Sequence, residues 1–122
     1  MAYEDLPGFE NVYLEDSFVL DVRATPSAVV FELDLVLLEA HPRYSEPADG
    51  EQYCYRRGRI EFSHVSAFRW TRRGLPPAVD QNAEIDYGGF DQFGEVEGNW
   101  FASGNWGDVV VDCSTSPTVT LQ

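Results

Sequence analysis

The stretch AVVFELDLVLLEA, residues 28–40, decides the fold class of this 122-residue chain. Apolar side chains occupy every second position from Val29 to Leu37, whereas Glu32 and Asp34 occupy alternate positions between them. A period of two is typical of a β-strand that has one face in a core and the other in water. The stretch therefore predicts a long, half-buried strand that becomes fully apolar near its end.

The preceding segment, SFVLDVRA at residues 17–24, alternates in the same way and places Phe18, Leu20 and Val22 on one face. Thr-Pro-Ser at residues 25–27 separates the two segments, because proline interrupts a strand and favours a turn. The chain therefore begins with two successive predicted strands.

The rest of the chain contains shorter strand-like segments between breaks rich in glycine and proline. Residues 51–70 predict two or three strand pieces, with Gly58 at a turn or bulge. Residues 41–51 and 71–82 are predicted loops, because they combine prolines with glycine, aspartate and asparagine. A closing series of antiparallel strands is predicted in residues 84–87, 93–106, 108–114 and 118–122.

These patterns predict an all-β fold. We expect an antiparallel meander of seven to nine strands that forms a sandwich or a partly open barrel, with little or no helix. Residues 1–122 are treated as one domain, because the sequence contains no repeat, low-complexity tract or linker-like break. Apolar residues make up 43% of the chain, which is enough for a core without a metal or a disulfide.

The sequence also indicates a compartment. No apolar run approaches the roughly 18 residues that span a membrane, and residues 1–10 lack the basic and apolar regions of a secretory signal. We therefore expect a cytoplasmic protein without a membrane partner. Reduced thiols at Cys54 and Cys113 fit that compartment, although an exported chain could join them, so both states of the cysteines stay open.

Charge is the strongest global feature of the sequence. The formal net charge is −13, the chain contains no lysine, and six of the eight arginines lie within residues 52–73. Such a surface repels nucleic acid and anionic membranes and attracts a basic protein. The arginines are expected to pair with acids on adjacent strands. The alternative for the acidity as a whole is that it only keeps the protein soluble.

The segment DQNAEIDYGGFDQF, residues 80–93, concentrates carboxylates near a double glycine. Counted from Asp80, its oxygen-bearing side chains approach the ligand spacing of a calcium loop. Ile85 stands where that loop needs glycine, and Asp91 stands where it needs glutamate. We therefore predict a short strand that turns at Gly88-Gly89 and no metal or cofactor, with cation binding between Asp80 and Asp91 left as an alternative.

No catalytic residue is predicted. The two histidines, His41 and His64, lie in a loop and in a strand-like segment, and Cys54 has no local signature of a thiol nucleophile. The sequence contains no phosphate-binding loop and no nucleophile or metalloprotease motif. We therefore expect a protein that is not an enzyme.

Aromatic side chains support a second hypothesis about function. Rings on a sheet face can stack on sugars or line a small pocket. The candidates for such a small-ligand or carbohydrate site are Trp70, Trp106, Tyr53 and Tyr55. For Trp106, at a predicted turn, a core position is an equally good interpretation, and for Trp100 a core position is favoured.

The second half of the chain resembles a known group of proteins. Four segments carry the resemblance: RIEFSHVSAFRW at residues 59–70, EIDYGGFDQF at 84–93, WFASGNWGDVVVDC at 100–113 and a final TVTL. Their succession of strands and turns resembles that of small bacterial single-domain β proteins. Most of these are of unknown function, and some are classed as immunity proteins of polymorphic toxin systems. The resemblance covers about the last sixty residues. It implies a cytoplasmic protein that neutralises a toxin by binding, and it implies no catalytic residues.

We therefore predict an acidic binding protein, of the immunity type, with a basic protein partner. The oligomeric state and the identity of the partner do not follow from the sequence. The predicted contact surface combines carboxylates with neighbouring aromatic rings: Asp80, Glu84, Asp86, Tyr87, Phe90, Asp91, Glu95 and Glu97.

Overall fold

A computed structural model of the chain describes residues 3–71, 78–79, 85–86 and 88–122, the two short ranges by their backbone alone. These residues form a short 3-10 helix, Tyr3–Asp5, and ten β-strands. The strands are β1 Val12–Thr25, β2 Ala28–Leu37, β3 Cys54–Ser63, β4 Val65–Thr71, β5 Ala78–Val79, β6 Ile85–Asp86, β7 Gln92–Val96, β8 Asn99–Gly104, β9 Gly107–Cys113 and β10 Thr118–Leu121.

Eight of these strands form two four-stranded antiparallel sheets. Sheet 1 has the order β1-β2-β3-β10, and sheet 2 has the order β4-β9-β8-β7. Strands β5 and β6 pair only with each other. The sheets do not close into a barrel. The predicted all-β, antiparallel fold class is therefore confirmed. The described residues include no helix of the length and apolarity needed to cross a membrane.

The core lies between the inner faces of the two sheets and is rich in aromatic rings. Phe31 of β2 is fully buried, and its ring lies 5.2 Å from that of Trp106, 5.6 Å from that of Phe90 and 6.3 Å from that of Phe62. Such edge-to-face and tilted arrangements are the ones that aromatic pairs prefer. The alternating apolar positions predicted for β2 all face this core: Val29, Phe31, Leu33, Leu35 and Leu37.

The predicted face pattern of β1 is wrong. The sequence alternation puts Phe18, Leu20 and Val22 on one face, but two irregularities in the pairing with β2 change the register. Val19 is fully buried and Val22 packs against the core, whereas Phe18 is 37% exposed on the outer face of sheet 1. A bulge reverses the face of the residues that follow it, and periodicity alone does not reveal where a bulge lies.

The larger irregularity in β1 is an extended bulge at residues 14–17. Between the Tyr13–Val36 and Phe18–Asp34 pairs, β1 has four residues and β2 has one. Ser17, in this bulge, is completely buried. Its hydroxyl donates to the Tyr13 carbonyl oxygen at 2.7 Å and accepts from the Val36 amide at 2.9 Å. The Ser17 side chain thus replaces ladder hydrogen bonds that the bulge removes.

One residue, His64, connects the two sheets through the β3–β4 junction. Its φ of 55° lies in the left-handed region, which few non-glycine residues adopt. The amide of the next residue, Val65, donates to the Ser27 carbonyl in the β1–β2 turn. The chain therefore passes from sheet 1 to sheet 2 in a single step.

Ser17→Ala is expected to lower the free energy of unfolding by about 1–3 kcal/mol. The substitution leaves the buried Val36 amide and the Tyr13 carbonyl without a partner, and buried unsatisfied groups cost that amount. Chemical denaturation monitored by tryptophan fluorescence measures the difference. The control is Ser66→Ala, because the exposed Ser66 hydroxyl also bonds a carbonyl but remains accessible to water. Equal losses for the two variants would contradict the role given to Ser17.

Candidate functional site

Gly88 and Gly89 join the β1 bulge to sheet 2. The Gly88 carbonyl accepts from the Val19 amide at 2.8 Å, and the Gly89 carbonyl accepts from the Trp106 indole N–H at 3.1 Å. A Cβ at Gly89 would lie 2.7 Å from the carbonyl oxygens of both Glu15 and Ser17. The double glycine is therefore a close backbone joint and not a hairpin turn, since β6 pairs with β5 and β7 pairs with β8.

A concavity of about 210 Å³ opens beside this joint on the outer face of sheet 1. It lies where the β1 bulge meets the beginning of β3. We call it the aromatic–acidic concavity, and its lining residues are Glu15, Asp16, Ser17, Phe18, Gln52, Tyr53, Tyr55 and Gly89.

Three aromatic rings form its apolar wall. The rings of Phe18 and Tyr55 stack at 5.7 Å with 30° between their planes, and those of Tyr53 and Tyr55 meet at 6.2 Å and 85°. Below them, Val36 has Tyr13 and Tyr55 as its ladder partners and is completely buried although it faces outward. The Tyr53 and Tyr55 rings are therefore nearly perpendicular, and Phe18 extends the apolar wall beside Tyr55.

Two consecutive carboxylates form the acidic wall. The Tyr53 hydroxyl donates to Asp16 Oδ2 at 2.7 Å. The Tyr3 hydroxyl donates to Glu15 Oε2 at 2.7 Å and itself accepts from the Leu14 amide at 3.1 Å. An ionised carboxylate offers about four acceptor positions, so that each retains capacity for a further donor.

The electrostatic environment of the concavity is negative. The hydrogen bond to Asp16, with burial and the Asp16 charge, raises the pKa of Tyr53. Burial first, and then the charges of Glu51, Asp16 and Asp34, raises the pKa of Tyr55. Both shifts show that a further negative charge is disfavoured here, and the contribution of the neighbouring carboxylates to each shift is the part that a positive charge would reverse.

Arginines on the outer face of sheet 1 pair with acids of their own sheet. Arg57 Nε lies 2.8 Å from Asp34 Oδ1 across β3 and β2, and Arg23 pairs with Glu32 across β1 and β2. The pairing predicted for the arginines of residues 52–73 is confirmed for Arg57, whereas Arg23 lies outside that predicted group. Exposed pairs of this kind add little stability, but they neutralise the arginines locally.

The predicted contact surface is dispersed in the structure. Asp80, Glu84 and Tyr87 lie outside the described residues, and Asp86 pairs with Ala78 in the short β5–β6 ladder. Phe90 is 3% exposed and packs in the aromatic core, so that it cannot contact a partner directly as the sequence interpretation assumed. The reason is that the residue after the glycine joint turns inward beneath sheet 2.

The remaining predicted carboxylates lie along β7. Asp91 is exposed and its amide donates to the Ser103 carbonyl at 2.7 Å. Glu95 is half-buried near the other end of β7, and Glu97 is exposed in the β7–β8 turn with a φ of 51°. Six residues of strand span about 20 Å. Asp91 is therefore close in sequence to the glycine joint, whereas Glu97 lies at the far end of β7.

The predicted ligand site also divides between the two sheets. Tyr53 and Tyr55 line the aromatic–acidic concavity. Trp106 is 3% exposed, bonds the Gly89 carbonyl and belongs to the core, which makes a role as a ligand platform wrong for this residue. Trp70 is half-buried, and its indole N–H donates to the Trp106 carbonyl at 3.3 Å. A Cβ at Gly104 would lie 2.6 Å from Trp106 Nε1, and a Cβ at Gly107 would lie 2.6 Å from Trp70 Nε1. The two glycines therefore allow the indoles to approach the β8–β9 hairpin closely.

The side chains of the cysteines and histidines are absent from the lining of the concavity, and Cys54, between Tyr53 and Tyr55, is buried in the core. Cys113 Sγ donates to the Ser63 carbonyl at the end of β3, whereas Cys54 begins that strand and contacts Ser45. Nine residues of strand span about 30 Å, far beyond the reach of a disulfide, and both thiols are free and buried. His41 has a lowered pKa because of burial and the neighbouring charges of Arg43 and Arg56.

No three His, Cys, Asp or Glu side chains among the described residues could hold a metal ion together. The possible cation loop from Asp80 to Asp91 lies mostly outside those residues, so that this alternative stays a hypothesis.

Sequence reasoning missed the contribution of β1 to the site. Glu15, Asp16 and Phe18 line the concavity because the bulge turns them outward. One signal was available, because Glu-Asp-Ser at residues 15–17 interrupts the apolar alternation immediately before a segment that otherwise follows it. Polar residues in the middle of a strand are typical of a bulge as well as of a loop.

Comparison of the chain with protein-family models, with curated proteins and with solved structures found no match. The function is therefore inferred from the geometry of the site itself.

Gly89→Ala is expected to destabilise the protein by about 1–3 kcal/mol and to alter the near-ultraviolet circular dichroism of Trp106. The added methyl would meet two backbone oxygens at 2.7 Å, and backbone cannot move aside as a side chain can. Gly94→Ala is the matched control. Its methyl would meet only the far end of the Phe101 ring at 2.9 Å. If Gly94→Ala costs as much as Gly89→Ala, the joint is not the rigid contact described here.

Asp16→Asn is expected to lower the pKa of Tyr53 towards its ordinary value, because it removes the charge that opposes phenolate formation. A raised folded-state pKa stabilises the fold below the unfolded value of about 10, and that contribution is lost as the pH rises through the folded-state pKa. A titration of the tyrosine ¹³Cζ resonances measures the change, with Asp112→Asn on the other sheet as control. An unchanged Tyr53 titration in Asp16→Asn would refute the assignment.

Proposed function

We propose that this chain is an acidic, non-enzymatic binding protein of the immunity type, which neutralises a basic protein partner in the cytoplasm. The proposal joins the net charge of −13 to a particular place on the surface. It predicts no nucleic-acid partner and no membrane partner, because a surface of this charge repels phosphate groups, and the proposed binding requires no cofactor.

The observation that carries the proposal is the meeting of exposed rings and carboxylates in the aromatic–acidic concavity. Glu15 and Asp16 stand beside Phe18, Tyr53 and Tyr55 without an arginine in the lining. Elsewhere on the same face, Arg57 and Arg23 are paired with acids of sheet 1. Aromatic anchors beside unneutralised carboxylates are the features of a surface that binds a basic protein.

The composition of the concavity also favours binding over catalysis. Its lining contains no histidine, cysteine or lysine, and its single serine, Ser17, is buried and bonded on both sides, while the pKa values of Tyr53 and Tyr55 are raised, which disfavours the phenolate form. Nucleophilic catalysis requires an accessible nucleophile with a base within hydrogen-bond reach. Glu15 and Asp16 each accept a hydrogen bond from a tyrosine hydroxyl, and the lining contains no acid besides these two neighbours.

The alternative function, binding of a small ligand or carbohydrate, is favoured only by the two tyrosines of the concavity. Pockets for drug-sized ligands enclose about 300–1,000 Å³, and this concavity encloses about 210 Å³. A monosaccharide panel tested by thermal shift decides this alternative, because a specific sugar that raises the melting temperature would favour it over a protein partner.

The expected result for the proposed function is salt-dependent binding of a basic protein. The product of the neighbouring gene is the first candidate partner, tested by pull-down and by calorimetry at low and high ionic strength. Because exposed charges are screened over about 8–10 Å at physiological salt, the association should weaken as salt rises.

Charge-neutralising variants separate the acidic surface from general acidity. Asp16→Asn should slow association by more than Asp112→Asn, although each of the two variants removes one carboxylate charge. Asp112 lies on the outer face of sheet 2, which is the opposite side of the sandwich. No binding to any basic protein, or binding indifferent to both salt and these variants, would refute the proposed function.

A further inference from the structure

We propose that the aromatic–acidic concavity receives one arginine side chain of the basic partner, with the guanidinium group between the Tyr53 and Tyr55 rings and the carboxylates of the β1 bulge. This inference rests on the proposed function and assigns the chemistry of its central contact.

The size of the concavity suits one side chain. Its volume of about 210 Å³ is below the range of sites that enclose whole small molecules. A single long side chain from a protein surface needs only one open end, and this concavity opens to solvent on the outer face of sheet 1. The volume therefore favours a side chain presented by a partner over a free ligand.

The aromatic wall suits a planar cation. Phe18 and Tyr55 stack on each other, and Tyr53 meets Tyr55 at 85°. Ring faces attract cations within about 6 Å of the ring centroid, and a guanidinium group stacks on them more readily than an ammonium group because it is flat and weakly hydrated. Phe18 is 37% exposed, so that this wall is accessible.

The acidic wall supplies acceptors for the same cation. Glu15 and Asp16 are adjacent in the chain and each uses one oxygen for a tyrosine hydroxyl. Guanidinium presents five donors in a fixed fork and pairs with carboxylates through two parallel hydrogen bonds. Burial first, and then the charges of three carboxylates, raises the pKa of Tyr55, and those three charges would attract the guanidinium group.

The walls are held in place before the cation arrives. The Ser17 hydroxyl fixes the bulge to β2, and Gly89 packs against the Glu15 and Ser17 carbonyl oxygens from the other side. The tyrosine hydroxyls already orient both carboxylates. A preorganised site loses little side-chain entropy on binding, which strengthens a contact as small as one side chain.

Three short peptides test the inference: acetyl-Gly-Arg-Gly-amide and its counterparts with lysine or with citrulline, the neutral isostere of arginine. Binding is followed by nuclear magnetic resonance through the ring signals of Phe18, Tyr53 and Tyr55. We expect a Kd on the order of millimolar for the arginine peptide. The lysine peptide should bind more weakly, and the citrulline peptide should show at least about a tenfold loss because the charge-assisted hydrogen bonds are missing.

Two variants locate the binding. Asp16→Asn keeps the shape and removes a charge, and Phe18→Leu keeps an apolar side chain and removes a ring. Each should weaken arginine-peptide binding about fivefold or more, whereas Asp112→Asn on the opposite outer face should leave it unchanged. Both variants alter exposed or half-buried side chains, and the unchanged amide spectrum verifies their folding.

The outcomes separate this inference from the proposed function. Equal binding of arginine and citrulline peptides, or ring signals that do not move, overturns the arginine site. If a basic partner still binds the chain in a salt-dependent way, the proposed function then survives and its contact lies elsewhere. If the arginine peptide binds as expected but no basic protein does, the site stands and the proposed function fails.

Discussion

The hydroxyl group of Ser17 is the contact on which the site depends. A bulge of this width removes ladder hydrogen bonds from the interior of an otherwise regular sheet, and the Ser17 side chain restores them at Tyr13 and Val36. Without that replacement the Tyr13 carbonyl and the Val36 amide would lose these hydrogen bonds. With it, Glu15 and Asp16 stand outside the ladder pairing of β1 and form an acidic wall. A single buried hydroxyl thus permits a local surface that the regular sheet would exclude.

The second constraint is the close approach of two backbones at Gly89. Any side chain there would separate the bulge from the segment that leads into sheet 2, because the gap holds no additional atom. The Gly89 carbonyl oxygen also accepts a hydrogen bond from the Trp106 indole N–H in the core. The acidic wall on the outside and the aromatic core on the inside therefore share one residue, which couples the integrity of the surface to that of the interior.

The fold class follows from sequence because β2 is regular. An apolar side chain occupies every second position from Val29 to Leu37, and all five of these side chains are buried. The site does not follow from sequence, because it depends on a bulge, and a bulge changes the face of Phe18 without changing the composition. Trp106 shows the same limit. An aromatic residue in a turn is ambiguous until the glycine below it is known to admit the ring.

The single-residue passage at His64 has a geometric consequence for the concavity. Tyr55 lies nine residues before His64 along β3, which is a lever arm of about 30 Å. A rotation of about 5° at His64 would move the Tyr55 ring by about 2–3 Å relative to sheet 2. The glycine joint is bonded to sheet 2 through the Trp106 indole N–H. Of the described lining residues, only Gly89 is bonded to sheet 2, whereas the others belong to β1 or lie at or just before the beginning of β3. The angle between the two sheets therefore acts on the concavity through the glycine joint.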